Sequence, residues 1–258
     1  MNNYSFEHIQ FLKMKKKEKL FISLFRLLII FFVLLTWEVL SKLNIINTFL
    51  YSSPSRIINT LYKLTLNGLL IKHIFITLFE VFISFIISTV LGIMIASLLW
   101  SNSFIQKILD PYITIINSLP KVALGPLIIL WCGAGIKSII FMSLLISLFI
   151  TIINIYQAFI STDINYLTMI KSFGASKWQC FKYVVFPANM SNIISTLKIN
   201  ISMNLIGVIM GELLVSKTGL GYLIMYGSQI FNINLVITCI FILGFISYLM
   251  YCVVNKIK

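Results

Sequence analysis

The chain has 258 residues; 59% are apolar, 10% are charged, and the mean hydropathy is +1.01. A soluble domain of this length carries roughly 25% charged residues, so the composition leaves no room for a large soluble domain and points to a polytopic membrane protein. The net charge of +13 does not single out nucleic acid, because much of it lies in the run KMKKKEK at 13–19 and no folded basic surface accompanies it.

In chain order, residues 1–20 form a basic N-terminal stretch, expected to be cytoplasmic and to face anionic lipid under the positive-inside rule. Residues 21–258 follow as a single transmembrane domain, with spans at about 21–40, 73–100, 105–131, 138–160, 190–212 and 233–254. The first span reads as retained rather than as a cleaved leader: no small-residue A-x-A site follows it, and WEVLSKLN closes a helix. Six spans place both termini on one side. With that side cytoplasmic, internal segments hold eleven basic residues and external ones six, namely Lys42, Arg56, Lys63, Lys72, Lys137 and Lys217. The N-terminal run supplies the whole excess.

Between the first two spans, SSPSRIINTLYKL predicts a short helix with Ser53 as N-cap and Pro54 at the first helical position. Ile57, Ile58 and Leu61 gather on one side and Arg56, Asn59 and Lys63 on the other, the pattern of a helix lying in the interface. The third span contains Pro111, Pro120, Gly125 and Pro126. Proline removes a backbone donor and clashes with the preceding turn, so this span is expected to be kinked or broken. Broken backbone at membrane depth is tolerated only inside protein or along a wet cavity. Pro120 and Pro126 are therefore candidates for a gate or pathway wall, with a merely kinked structural helix as the alternative.

The fourth and fifth spans each present a narrow polar or small face. Ser143, Ser147, Thr151 and Asn154 share an arc on one; Thr196, Asn200, Asn204, Gly207 and Gly211 share an arc on the other. Asn154, Asn200 and Asn204 are candidates for lining a hydrophilic path. Interhelical packing is the other reading, since small and hydroxyl residues also join membrane helices. Two carboxylates, Glu80 and Glu212, fall inside spans, where an ionisable group is functional by default. Glu212 joins the pathway candidates, while a proton relay would need a chain of ionisable groups at mid-depth, for which only Glu80 is a candidate.

Between these two spans, IKSFGASKWQCFKYVVFPAN runs from Ile170 to Asn189. The fourth span is expected to continue as helix through INYLTMIKSF. Gly174 then fits a left-handed C′ position, and Ser176 with Gln179 makes an S-x-x-Q capping box that starts a new helix. Pro187 is expected to end that helix. Its aromatic and basic side chains suit either a protein-binding knob or a helix lying on lipid headgroups.

Catalytic chemistry is not legible. Cys132, Cys180, Cys239 and Cys252 form no C-x-x-C, and His8 and His73 are too isolated for a metal cluster. There is no Walker A loop, H-E-x-x-H or nucleophile elbow. No catalytic residue, cofactor or metal is expected.

The 168–187 stretch resembles the cytoplasmic loop signature of binding-protein-dependent ABC importer permeases, E-A-A-x3-G-x9-I-x-L-P. Here it reads Thr168-Met169-Ile170, three residues, Gly174, nine residues, Val184, one residue, then Phe186-Pro187. The Gly–Pro spacing of thirteen is intact, while the leading triplet departs and Phe replaces Leu. Three further segments are similar to the nitrate/sulfonate/taurine branch of that family. LYSSPSRIINTL matches its Pro-Ser-Pro segment. LPKVALGPLIILWCGAG matches P-x-x-A-x-x-P-L-x-x-L-W-x-G-x-G. GELLVSKTGLGYLI matches A-E-L-L…G-L-G-Y-L-I, with Glu212 at the acid. At Glu80, where many relatives carry Arg, this chain departs.

The resemblance implies an all-α polytopic membrane protein of about six transmembrane helices with the type I ABC importer (MetI-like) permease fold. It implies a transport subunit rather than an enzyme, sited in the cell membrane and paired as a homodimer. A separate cytoplasmic ABC ATPase would hydrolyse ATP, and an extracytoplasmic solute-binding protein would deliver the cargo. The cargo would be a small anion or polar organic solute: a sulfonate, taurine, nitrate or a thiamine-precursor pyrimidine. The loop at about 161–189 would couple to the ATPase through Gly174, Ala175, Ser176, Trp178, Gln179, Phe181 and Pro187. The rival reading is a self-sufficient secondary transporter or channel driven by an ion gradient. It accounts for the broken third span and Glu80 and leaves the capped loop unexplained.

Overall fold

The computed structural model describes residues 6–255. The side chains of His8 and Lys13 lie outside the described residues, as do Lys256 and Lys258 from the charge count. The described residues are helices and connectors with no strand, in keeping with apolar surroundings where every backbone polar group must be satisfied within its own segment.

Among the described residues, five helices are long and apolar enough to cross a membrane: α1 (Phe6–Lys42, crossing over Met14–Lys42), α4 (Leu69–Ser101), α7 (Ile136–Ile160), α11 (Met190–Val215) and α13 (Ile233–Asn255). Together with the bent pair α5 (Ser103–Ser118) and α6 (Gly125–Cys132) they make up to six spans. The short helices α2 (Thr48–Tyr51) and α3 (Pro54–Leu66) join α1 to α4. Ser53 caps α3 by accepting the Arg56 N–H at 3.4 Å, with Pro54 at its start, as the sequence predicts.

The third span is broken, and the break is local. The chain bends by 86° between α5 and α6, through Leu119, Pro120 and a 3₁₀ turn over Lys121–Leu124. Pro111 causes no break and sits inside α5. Its fixed φ is already helical, so the loss is one backbone bond. The two halves run into α7 through Gly133 and Gly135, both at positive φ.

The segment after α7 differs from expectation. The helix does not continue from 160 but stops at Ile160, and Ser161 and Thr162 turn their hydroxyls back onto the carbonyls of Ala158 and Phe159. Asp163 then caps a separate helix, α8 (Ile164–Ser172), by accepting the Asn165 N–H at 2.9 Å. An aspartate with a free N–H two residues on prefers such a turn to a helix interior. Beyond it come α9 (Lys177–Cys180), a π turn over Phe181–Val185 and α10 (Phe186–Ala188). Pro187 does not end this helix: it lies within α10, and the preceding π turn, closed by Phe186 N–H to Phe181 O, widens the spiral just ahead of a residue that cannot donate. The helix ends one residue later, at Ala188, and Asn189 separates α10 from α11.

The centre of the molecule is α4, α7 and α11, packed closely enough that small residues are mandatory. A Cβ on Gly207 would overlap the backbone of Ser143 on α7; one on Gly211 would come within 2.8 Å of the Ile139 Cα. Val81, Ile139, Leu205 and Val208 fill the middle. At one end α12 (Leu220–Gln229) and α13 close the core around Leu220, Leu223, Leu235 and Cys239. At the other, Ala96, Ile155, Phe159, Val185 and Ile193 join α4, α7 and α11 to the 161–189 segment. The apolar flanks of α1 and α5 bury almost nothing within the chain, as surfaces meant for lipid or another subunit do.

Candidate coupling segment and helix seam

The segment between α7 and α11 is built from local hydrogen bonds and then bolted to the helix ends. At the end of α8, Gly174 N–H donates to Lys171 O at 2.9 Å and Ala175 N–H to Ile170 O at 3.3 Å, the paired bonds of a Schellman motif. Its φ of 80° is left-handed, a region that costs glycine nothing. Ser176 restarts the helix: its Oγ accepts the Gln179 N–H at 3.3 Å, and its own N–H donates to Gln179 Oε1 at 2.7 Å. Asn189 staples the far end to the near one, donating to Thr162 Oγ1 at 2.7 Å and to Val185 O at 2.8 Å.

An aromatic cluster holds the segment against the span ends. The Phe181 ring lies 5.4 Å from Trp100 at the end of α4 and 5.3 Å, edge-on, from Phe159 of α7. Phe186 completes the group, with Trp178 stacked on Phe181 from the outer side, and Cys180 and Val185 are fully buried beneath it. Aromatic pairs in such arrangements gain about 0.5–1.5 kcal/mol beyond area burial. The outer surface is the opposite: Phe173 is 82% exposed and Trp178 68%, with Tyr183 and Met169 also open. Lys171, Lys177 and Lys182 flank them. Gly174, Ser176, Gln179 and Pro187 are exposed, Ala175 and Phe181 half-buried.

The polar arcs of α7 and α11 close on one another, which is the interhelical packing that the sequence offers beside a path lining. Asn204 Oδ1 accepts from Ser143 Oγ at 2.9 Å and Ser147 Oγ at 3.0 Å, and its Nδ2 donates to Ser88 Oγ at 3.0 Å and Asn200 Oδ1 at 2.8 Å. Asn200 Nδ2 donates to Thr89 Oγ1 at 2.8 Å. Both asparagines are buried, at 1% and 0% exposure. They knit α4, α7 and α11 together, because a buried amide with four hydrogen-bonding sites is stable in an apolar interior only when those sites are filled. Asn154 is half-buried farther along α7. Glu212 is also interior: Oε1 accepts from Thr77 Oγ1 at 2.7 Å and Oε2 from the Gly221 N–H at 2.6 Å. Pro120 and Pro126 are exposed on the bend, while Gly125 packs against Met142 and Leu214.

Sequence reasoning missed the partners rather than the motifs. Trp100 and Phe159 carry no local signal for docking Phe181, and Ser88 and Thr89 sit in an otherwise apolar stretch. Small hydroxyls every fourth residue on α4, at 84 and 88, were the available hint. Among the described residues no group of three or more His, Cys, Asp or Glu side chains could hold a metal ion.

Comparisons with known proteins place this geometry. The family model described as "Binding-protein-dependent transport system inner membrane component" matches residues 88–257. A probable ABC transporter permease of Haemophilus influenzae is 30% identical over 87% of this chain and 91% of its own length. The formylaminopyrimidine transport permease ThiX of Halalkalibacterium halodurans is 28% identical over 89% and 92%, and the putative aliphatic sulfonates transport permease SsuC of Bacillus subtilis is 26% identical over 84% and 79%. In three dimensions, an inward-facing structure of the MetNI methionine ABC transporter superposes with a TM-score of 0.69 at 18% identity, covering 75% of this chain and 96% of that one. The fold is that of a type I ABC importer permease, a transport subunit and not an enzyme. The broken third span, the three-helix centre and the capped segment after α7 thus belong to a membrane-spanning ABC permease, and this chain is a member of the binding-protein-dependent transport system inner membrane component family.

Proposed function

We propose that this chain forms the translocation unit of an ATP-driven importer for a small anion or polar organic solute, working as a homodimer. A separate ABC ATPase docks on the 161–189 segment at the cytoplasmic face, and an extracytoplasmic solute-binding protein supplies the cargo. The observation that carries the reading is the segment itself. It has an exposed aromatic and basic outer surface, of the kind that forms binding hot spots, on a rigid base whose Phe181 is wedged between the ends of α4 and α7. Force applied at Trp178, Gly174 and Ala175 passes through Phe181 and Pro187 into α4, α7 and α11 without a flexible joint. Packed helices move as bodies in such transitions, so the wall at Pro120 and Pro126 shifts when the seam helices tilt. In this scheme Asn200, Asn204 and Glu212 keep the moving helices together.

Relatives named for the transport of sulfonates, formylaminopyrimidine and riboflavin support a small polar organic cargo and leave its identity to the binding protein. The test is reconstitution of the chain in liposomes with its copurifying ATPase and binding protein. ATP-dependent uptake of the ligand carried by that binding protein is expected. Ion-gradient-driven uptake by this chain alone would sink the proposal.

A further inference from the structure

Glu80 and Glu212 meet where α4 passes α11. They are 3% and 1% exposed, and their carboxyl groups lie against each other. Ionised carboxylates only accept and repel one another, so two of them facing each other in an apolar interior are stable only with a hydrogen on one.

The remaining bonds say which. Both Glu212 oxygens already accept, one from Thr77 and one from the Gly221 N–H, the arrangement of an ionised group. The Gly221 N–H belongs to the first turn of the ten-residue helix α12, where the helix dipole favours negative charge. The turn is also shaped around this carboxyl: a Cβ on Gly219 would overlap it, and one on Gly221 would come within 3.0 Å of Oε2. Glu80 has no such donors. No donor reaches its buried Oε2, which is tolerable for a neutral acid and very costly for an ionised one. The other titratable groups nearby are His73, on the same helix, which accepts the Gly219 N–H at 2.8 Å, and Tyr222 of α12, stacked on His73.

We propose that the pair is a binding site for one proton, with Glu80 a neutral acid donating to ionised Glu212. The bond latches the Ser216–Gly221 turn and the start of α12 to α4. Thr77 bridges the same two elements, donating to Glu212 and accepting the Leu220 N–H at 2.9 Å. Glu80 is thus a positioning residue: it keeps Glu212 aimed at the turn, and the proton does the work that a basic side chain would do beside a lone buried carboxylate.

Infrared spectroscopy of the full chain in ester-free detergent tests this without reference to transport. With glutamate labelled at the side-chain carboxyl carbon, wild-type protein at neutral pH should show an isotope-shifted carboxylic-acid C=O band. The Glu80→Gln spectrum should lose that band and no carboxylate band; Glu212→Gln should lose carboxylate intensity and keep the acid band. The Glu80→Gln amide still donates, so its thermal midpoint should stay near wild type, whereas Glu80→Leu, which cannot donate, should melt earlier. A labelled wild-type spectrum with carboxylate bands alone would overturn the proposal whatever the variants do. Loss of the acid band in Glu212→Gln would likewise overturn the assignment of the proton to Glu80.

Discussion

At position 174 a side chain cannot be tolerated for a reason that has nothing to do with space. No atom lies within 4 Å of where a Cβ would stand, but φ is +80°. A β-branched residue there is strongly disfavoured, so the Schellman turn between α8 and α9 should open in Gly174→Val. The apolar spans are unchanged, so the variant should insert normally, yet copurify with far less ATPase or lose coupling of hydrolysis to uptake. Ser176→Ala removes one cap bond, about 1 kcal/mol, and should be milder in both assays. Normal copurification, hydrolysis and uptake in Gly174→Val would mark the segment as a passive loop. Both positions are legible from sequence because their signals act within five residues. Asn200 and Asn204 show the opposite case. Helical periodicity assigns them to one face, but not what that face meets. The bonds from Asn204 to Ser88 and Ser143 span 116 and 61 residues, and no local pattern separates such a seam from a water-lined wall.

Among the elements, the third span was the easiest to anticipate and the 161–189 segment the most instructive. Proline chemistry announces a break near Pro120. It does not say that Pro111 will be absorbed in α5, since the outcome depends on whether the turn around it has other bonds to spare. Likewise, Pro187 signals an ending, but a π turn ahead of it lets the helix run on to Ala188. Two aromatic neighbours in this segment have separate jobs. Phe181 is wedged among Trp100, Phe159 and Phe186, so Phe181→Ala should cost about 3 kcal/mol, the lower end for such truncations, and reduce the thermal midpoint of the purified chain. Trp178, 68% exposed, should be removable to Ala with little change in midpoint but weakened ATPase binding. Equal effects of the two substitutions on both readouts would show that the outer face and the base are not separate.

Across the whole molecule, the spans read from hydropathy match the helices to within a few residues, except that α1 is helical well before residue 21. Successive spans reverse direction, which puts the start of α1, the 161–189 segment and the end of α13 at one end of the bundle. The Arg56 and Lys217 connectors lie at the other. Which end is cytoplasmic rests on the lysine run at 13–19, since short-loop Lys and Arg set orientation and the remaining basic residues are evenly divided. Cysteine mapping decides it. Cys180 and Cys239 are buried and Cys132 and Cys252 half-buried, so replacing all four with Ala or Ser gives a background for single cysteines at Lys15, Arg56, Lys177 and Lys217. A membrane-impermeant maleimide added to intact cells should label the Arg56 and Lys217 sites, and reach the Lys15 and Lys177 sites only after the membrane is opened. Full reversal of this pattern would invert the molecule and take the 161–189 segment away from any cytoplasmic ATPase. Labelling of Lys15 and Lys177 from opposite sides would mean that α1 or the bent pair α5–α6 does not cross, and the six-span arrangement would fall with it.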